Sequence, residues 1–360
     1  MASVHGLMET KGSFQLRGIV TNTEKDEFYK EGYTSTGKPK RSVKFGIEYD
    51  NKSTVNVELQ GFTRREVYFN KRAEKKGEKS TTERVPWEER LTFSKEGFRL
   101  IGVNCGVKKI MNSNGKLEND KKTLTEFDAC KEIGDNLHDD VSVFVRGNLD
   151  FSSFNGRDGL VRFVRLTPNQ ISLCKDVDFT IEDFTPVHDF TQTIMFMGIS
   201  QEEESGVKTG RFVVSAKIVT YSTIEDAEFI VENAQLANIF RKNLKPYNAI
   251  TVWGKISTHT SVDTVEDTVE EDDDVWGEAN SMNRVNSSTR REFVITGADK
   301  SSLDRDIYSQ ELVEQAMIKI KNAQEAKNDF GGTTTDSTDD DWGSPMVNLE
   351  GDDLEDEVWQ

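Results

Sequence analysis

The sequence predicts a mainly β protein in which one order of elements occurs twice. In each half, three strands with apolar residues at alternate positions are followed by a short helix and two further strands. The strand after each helix contains a glycine, Gly147 in the first half and Gly254 in the second. Five strands with a helix between the third and the fourth is the chain order of the OB-fold, a five-stranded Greek-key barrel. We therefore predict two tandem OB-fold barrels, a C-terminal helix and a disordered acidic tail. Two unrelated β-rich domains of the sandwich type are the alternative.

The first half is predicted to occupy residues 13–178, after a flexible N-terminus of residues 1–12. Alternating apolar residues predict strands at 14–20, 43–49 and 55–59, a helix at 126–137, and strands at 141–149 and 160–173. A basic insertion, residues 63–124, separates the third strand from the helix, and its pattern indicates no particular structure.

The second half is predicted to occupy residues 186–300. Strands are expected at 193–199, 211–221, 227–231, 250–256 and 291–296, and a helix at 232–244. An acidic loop at 263–288 precedes the last strand. Gly147 and Gly254 fit the corner of a barrel, where a strand must bend sharply.

The end of the chain is predicted to contain an amphipathic helix and a tail. Apolar residues at three- and four-residue spacing place the helix at 304–327, within a segment of residues 301–328, and Ser301 or Ser302 could cap it. Residues 329–360 are predicted to be a disordered acidic tail, since residues 333–360 hold ten Asp or Glu and no Lys or Arg.

Charge is distributed unevenly along the 360 residues. The net charge is −18, yet residues 1–100 hold twenty Lys or Arg against fifteen Asp or Glu, whereas residues 301–360 hold four against sixteen. This asymmetry indicates a basic binding domain in front of an acidic tail, and it leaves nucleic acid open as a ligand of the first half.

Catalytic and metal-binding patterns are missing from the sequence. It has no phosphate-binding loop of the GxxxxGK[ST] kind, no GxSxG elbow and no pair of cysteines or histidines at zinc spacing. We expect no enzyme activity, no cofactor and no metal. Three widely spaced cysteines and the lack of a secretory or membrane-spanning segment favour a cytoplasmic protein without membrane contact.

Basic residues occur beside aromatic residues in the first half, the combination that holds single-stranded nucleic acid. The loops between strands one and two and between strands four and five carry several of them, and OB-folds bind oligonucleotides with these loops. Strand alternation turns others outward. The candidate nucleic-acid-binding residues are Arg17, Phe28, Tyr29, Tyr33, Lys38, Lys40, Arg41, Lys44, Arg64, Arg65, Phe144, Arg146, Phe151, Phe154, Arg157 and, in the second half, Trp253. Packing of the loop aromatics onto the barrel rim is the alternative.

Hydrophobic side chains are spread through the charges of the tail, so the segment could dock in a basic-rimmed groove of a partner or cover the chain's own cations. The candidate partner-binding residues are Trp342, Leu354, Glu355, Asp356, Glu357, Val358 and Trp359.

A barrel with basic and aromatic loops, followed by a linker and an acidic tail with terminal hydrophobic residues, resembles the replicative single-stranded DNA-binding proteins of bacteria and their phages. The resemblance covers most of the chain and is strongest at residues 141–173. That family usually has one barrel per chain and a tail that ends in Pro-Phe, whereas this chain ends in Glu-Val-Trp-Gln. Two barrels and the long insertion indicate a divergent phage-encoded member, located in the bacterial host cell.

The predicted function is binding of single-stranded DNA without strong sequence preference, in replication, recombination or repair. The tail is expected to compete with DNA and to recruit replication or recombination proteins, and self-association is a further hypothesis. Two alternatives belong to other classes. One is an acidic interaction or inhibitor protein that mimics DNA, and the other is a structural OB-fold component of a virion or its assembly.

Overall fold

A computed structural model describes residues 3–73, 75, 79–156, 159–181, 184–204, 206–265 and 284–330. The elements up to the end of the first half are β1 Gly12–Thr21, β2 Tyr29–Tyr33, β3 Pro39–Asp50, β4 Ser53–Phe62, β5 Glu66–Lys71, β6 Thr81–Pro86, β7 Phe98–Leu100, β8 Val103–Gly106, β9 Lys109–Met111, β10 Leu117–Asn119, β11 Lys122–Leu124, α1 Glu126–Asn136, β12 Ser142–Gly156 and β13 Gly159–Leu173. The remaining elements are β14 Val187–Glu204, β15 Val207–Val219, β16 Ile224–Val231, α2 Ala234–Asn243, β17 Asn248–Val265, β18 Arg284–Asp304 and α3 Gln310–Phe330.

The first barrel has the predicted strand order. Strand β1 pairs antiparallel with both β3 and β12, β3 pairs with β4, and β12 pairs with β13. Helix α1 lies between the third and the fourth barrel strand, with Thr125 as its N-cap. No ladder joins β4 to β13 within the described residues; instead the short strand β8 of the insertion pairs in parallel with β13.

The second barrel repeats the order and closes completely. Strand β14 pairs with β15 and β17, β15 with β16, and β17 with β18, all antiparallel. The parallel contact of Ile230 on β16 with Val294 on β18 completes the ring. The tandem OB-fold prediction is therefore confirmed by the strand pairing.

The two predicted corner glycines lie at irregularities of their ladders, between Arg146 and Gly147 in β12 and between Trp253 and Gly254 in β17. A Cβ atom on Gly147 would be 2.0 Å from the Thr167 carbonyl oxygen, and one on Gly254 would be 1.9 Å from that of Val294. Both strands thus approach a neighbouring backbone too closely for any side chain, which explains why the two halves share this glycine.

A direct strand pairing joins the two barrels. Strands β1 and β14 lie antiparallel, with Phe14 opposite Phe190, and both rings are buried. The apolar residues of the two barrels form one continuous core cluster. The two barrels therefore form one packed unit and are not independent domains joined by a linker.

The basic insertion, residues 63–124, has structure of its own. Strands β6, β5 and β7 form a three-stranded sheet over a small apolar cluster that includes Val67, Phe69 and Val85. The guanidinium of Arg90 donates hydrogen bonds of 2.7 and 2.9 Å to the two carboxylate oxygens of Asp128, and this ion pair joins the insertion to α1.

Both ends of the described chain differ from the predictions. Helix α3 begins at Gln310, later than the predicted residue 304, because β18 continues to Asp304; Ser309 accepts a hydrogen bond from the backbone N–H of Leu312, so Ser301 and Ser302 do not cap the helix. The N-terminus was predicted to be flexible, but Leu7 packs in a cluster with residues of the second barrel and of α3. Helix α3 extends two residues into the predicted tail, to Phe330, and the rest of the tail, residues 331–360, lies outside the described residues, as do residues 266–283 of the acidic loop.

Candidate nucleic-acid interface

A shallow groove lies on the first barrel between two β-hairpins, one made by β2 and β3 and the other by β12 and β13. Its floor is the outer face of β3 and β4, because Val43, Phe45 and Val57 turn inward and their neighbours outward. We call this surface the hairpin groove; it is lined by Glu27, Lys30, Ser42, Lys44, Asn56, Glu58, Phe163, Val164, Arg165, Leu166 and Arg291.

Aromatic rings form one wall of the hairpin groove. Phe154, near the tip of the β12–β13 hairpin, is 41% exposed, and its ring packs edge-on against that of Phe163 with 5.9 Å between centroids. The guanidinium of Arg165 is 5.8 Å from the Phe163 centroid and 3.6 Å from the Glu58 carboxylate. A cation and two rings thus lie side by side on this wall.

The β2–β3 hairpin supplies the opposite wall. Tyr33 is 76% exposed, but its register opposite Pro39 puts it on the side of the hairpin that carries Tyr29 and Glu31, away from the groove. Lys38 lies beyond it in the turn. Lys40 lies over the ring of Phe62 at 5.6 Å, and Lys44 is 3.8 Å from the carboxylate of Glu27. Lys40 and Lys44 therefore lie on the groove side of β3, whereas Tyr33 does not.

Four predicted residues lie in other surroundings, contrary to the prediction. Phe28 is buried in the core, and Phe151 is buried against rings of the second barrel, so neither ring is free to stack on a base. Arg41 is engaged by Glu31 at 2.9 Å and lies 4.0 Å from the centroid of Phe127.

Tyr29 is the fourth of these residues. It packs against Gly134 of α1, where a Cβ atom would be 2.7 Å from the tyrosine ring. Its hydroxyl donates a hydrogen bond to Glu31, and burial together with that carboxylate raises the pKa of Tyr29. A position in a predicted binding loop, beside basic residues, does not distinguish an aromatic ring on the rim from one in the barrel.

Another four predicted residues share a different surface. Cross-strand register pairs Arg17 with Phe144, Gln15 with Arg146 and with Asp189, and Thr191 with Trp253. Because paired residues project from the same side of a sheet, the predicted residues lie on one outer face that crosses from barrel to barrel. We call it the junction face, made of Arg17, Phe144, Arg146 and Trp253. Trp253 is 43% exposed and lies against Gly297, which leaves space for the indole.

The insertion adds a third basic surface. Arg64 is 3.5 Å from Glu126, while Arg65 is exposed. On the outer side of the β5–β6–β7 sheet, Arg84 lies opposite Tyr68 with its guanidinium 5.8 Å from the ring centroid, and Arg99 lies opposite Asn70. We call Tyr68, Arg84 and Arg99 the insertion face. The sequence indicated basic and aromatic residues here without indicating which of them share a side of a sheet.

Arg291 is a groove residue that sequence reasoning missed. It belongs to β18 of the second barrel, yet its guanidinium donates hydrogen bonds to the carbonyl oxygens of Val164 and Asn56 in the first barrel. Burial lowers the pKa of Arg291. No pattern in the sequence indicates that a residue of β18 contacts the first barrel.

Arg157 and the tail residues Trp342, Leu354, Glu355, Asp356, Glu357, Val358 and Trp359 lie outside the described residues. Within the part of the chain that the structure describes, no group of three or more His, Cys, Asp or Glu residues is arranged to hold a metal ion. None of the described helices has the length and apolar character required to span a membrane.

Two crystal structures of the single-stranded DNA binding protein from Thermus aquaticus are similar to this chain. The wild-type protein matches with 9% identity and a TM-score of 0.36, over 83% of this chain and 95% of the other. A deletion mutant matches with 10% identity and a TM-score of 0.38, over 84% and 98%. These values are low, so the fold assignment rests on the strand pairing described above.

No match is found among curated proteins. A family model does match: that of YorF covers residues 71–332, which include most of the insertion, α1, both hairpin strands β12 and β13, the whole second barrel and α3. Because this match extends over more than half of the sequence, the chain belongs to the YorF family.

Proposed function

We propose that the protein binds single-stranded DNA without strong sequence preference, and that the hairpin groove is the principal site. The observation that carries the proposal is the placement of Phe154 and Phe163 beside Lys44 and Arg165, between two hairpins of an OB-fold barrel. Stacking on aromatic rings is sequence-tolerant because every base has a π-face, and cations beside the rings attract phosphates.

The other two surfaces extend the proposed contact. The insertion face offers a ring, Tyr68, next to two arginines, and neither Arg84 nor Arg99 has an ion-pair partner among the described residues. The junction face offers Phe144 and Trp253 with Arg17 and Arg146. The groove is favoured as the principal site because hairpins enclose it on two sides, while the other surfaces are open.

The acidic tail is proposed to act in two ways. It carries no Lys or Arg, so it can occupy the same cations as DNA and compete with it. Displaced by DNA, it would recruit replication or recombination proteins through its hydrophobic residues. A phage-encoded protein acting in replication, recombination or repair inside the bacterial host is part of this proposal, and so is self-association.

Fluorescence anisotropy tests the proposal. Labelled single-stranded DNA, double-stranded DNA and RNA are titrated with the full-length protein over a range of salt concentrations. Single-stranded DNA should bind most tightly, with log K falling linearly as log salt rises, because phosphate contacts release counterions. Equal affinity for double-stranded DNA, or an affinity that salt does not change, would contradict the proposal.

The net charge of −18 is the observation that favours a second candidate, an acidic interaction protein that mimics DNA. Such a protein would show no affinity for any of the three nucleic acids. It would instead bind the DNA site of another protein and be displaced from it by DNA, which a competition titration distinguishes from the first candidate.

A further inference from the structure

Arg291 is supplied by the second barrel to the groove of the first. Its guanidinium donates a hydrogen bond of 2.9 Å to the carbonyl oxygen of Val164 on β13 and one of 3.3 Å to that of Asn56 on β4. No ladder joins these two strands in the described part of the chain. Arg291, a residue of the second barrel, therefore links the two strands of the first barrel that are not paired with each other.

The guanidinium of Arg291 has unused hydrogen-bond donors and no acidic partner among the described residues. Of its five N–H groups, two are used by the carbonyls. Among the described residues no carboxylate lies within ion-pair distance of it, whereas the preceding residue, Arg290, is 3.7 Å from Glu228. A partly buried cation without a counter-ion is favourable only if something restores the lost solvation, and an anion does this best.

The surroundings of Arg291 suit an anion. Arg291, Lys44 and Arg165 line the same depression, whose volume is about 190 Å³. Glu58 is the carboxylate that lines it, and it already lies 3.6 Å from Arg165. Lys44 in turn lies 3.8 Å from Glu27, in the adjoining part of the groove. The three cations still outnumber these two carboxylates, and the ring of Phe163 lies beside them.

We propose that Arg291, with Lys44 and Arg165, binds a phosphate group of the nucleic-acid backbone, so that both barrels contribute to one site. The inference rests on the proposed function and adds to it the ligand group and the contribution of the second barrel. A base stacked on Phe163 would place its own phosphate within reach of the three cations.

The carbonyl bonds of Arg291 give it a structural role as well, so the test must separate the two roles. Binding of a fluorescein-labelled oligothymidylate is measured across salt for the wild type, Arg291→Gln and Arg291→Lys. Arg290→Gln is the matched control, because Arg290 is adjacent on the same strand, projects to the opposite side and already has an acidic partner. Thermal unfolding of each variant reports the structural role.

Arg291→Gln should weaken binding about tenfold at low salt and make the slope of log K against log salt shallower by about 0.7, the value for one phosphate contact on a single strand. Arg291→Lys should keep the slope, since the charge is kept, and Arg290→Gln should change neither quantity. An unchanged slope in Arg291→Gln, while the wild type binds with a steep one, would overturn the phosphate site and leave the proposed function standing. If the wild type does not bind, the proposed function itself fails.

A measurement on the wild type covers the case in which Arg291→Gln does not fold. The full-length protein is treated with phenylglyoxal, which modifies arginine, with and without oligothymidylate, and modified positions are mapped by mass spectrometry. DNA should protect Arg291 and leave Arg290 reactive. Equal modification of Arg291 with and without DNA would overturn the proposal.

Discussion

The ring of Phe151, from a hairpin of the first barrel, lies 6.1 Å from the ring of Phe293, from the last strand of the second. Phe229 and Phe190 complete the group, and all four rings are buried. The β12–β13 hairpin of the first barrel thus contributes a ring to the core of the second. Phe154, the residue near its tip that we propose to bind DNA, therefore belongs to a hairpin that is anchored by packing in both halves.

Phe151→Ala is expected to destabilise the protein by about 3–5 kcal/mol, the usual cost of removing a buried phenylalanine ring. Because the ring packs in both barrels, the loss of stability should appear as a shift of one cooperative unfolding transition that includes both barrels. Urea denaturation followed by circular dichroism measures it. Phe154→Ala, which removes an exposed ring from the same hairpin, is the control. A separate transition for each barrel in the wild type would contradict the shared core.

Phe154→Ala is expected to weaken binding of single-stranded DNA by about 1–3 kcal/mol, the value of one base stacked on an aromatic ring. Its thermal stability should be close to that of the wild type, because the ring is 41% exposed. Tyr221→Ala is the matched control, since Tyr221 is 49% exposed on the second barrel, away from the groove. The groove assignment fails if both variants bind alike.

Deletion of residues 333–360 is expected to tighten binding of single-stranded DNA, because it removes ten negatively charged side chains that compete with DNA for the same cations. The gain should be largest at low salt and should shrink as the ionic strength rises, since screening weakens the competition. Anisotropy titrations at several salt concentrations measure it. A matched variant with the tail's Asp and Glu replaced by Asn and Gln should behave like the deletion. Equal affinity of full-length and shortened protein at low salt would refute the competition.

Acid is expected to destabilise the fold through His188. Its ring stacks on Tyr49 at 4.3 Å between centroids, and its Nδ1 donates a hydrogen bond to the Ile256 carbonyl oxygen. Burial lowers the pKa of His188 below 6.5, and the charge of Lys255 lowers it further. The unfolded chain therefore binds the proton more readily than the folded one, so the stabilisation is present above about pH 6.5 and is lost as the pH falls through the pKa of the folded state.

The free energy of unfolding in urea, measured between pH 7.5 and 5, tests this. His188→Phe keeps a ring against Tyr49 and cannot take up a proton, so its stability should depend less on pH than that of the wild type. His138→Phe is the control, because the side chain of His138 is exposed. Identical pH dependence in the wild type and His188→Phe would count against the assignment.

Trp253→Ala tests the junction face. If that face contacts nucleic acid, affinity should fall by about 1–3 kcal/mol, the value of one stacked base. Ile239→Ala, which removes an exposed apolar side chain from α2, should leave affinity unchanged. Sedimentation velocity is run on the same samples. A change in oligomeric state at unchanged affinity would assign the junction face to self-association and not to DNA.

The spacing of apolar residues was sufficient to predict the strands of both barrels, the two short helices and the two corner glycines. In each case the signal is local: alternation along a strand, an N-cap such as Thr125, or a glycine inside an apolar run. Outward side chains such as Lys44 and Trp253 followed from the same alternation. The structured insertion was not predicted, because its strands are short and its apolar residues few.

By itself, then, the sequence determined the fold class, the repeat and the residue types of a binding surface. The tertiary structure decided which of those residues lie together on one surface. It placed Phe28 and Phe151 in cores, separated the hairpin groove from the junction face, and brought Arg291 from one barrel to the other. The physical reason is that alternation assigns a side chain to one face of its own strand. Contacts across barrels depend instead on how β1 and β14 pair and on how the β12–β13 hairpin packs against the second barrel, and no local pattern encodes that.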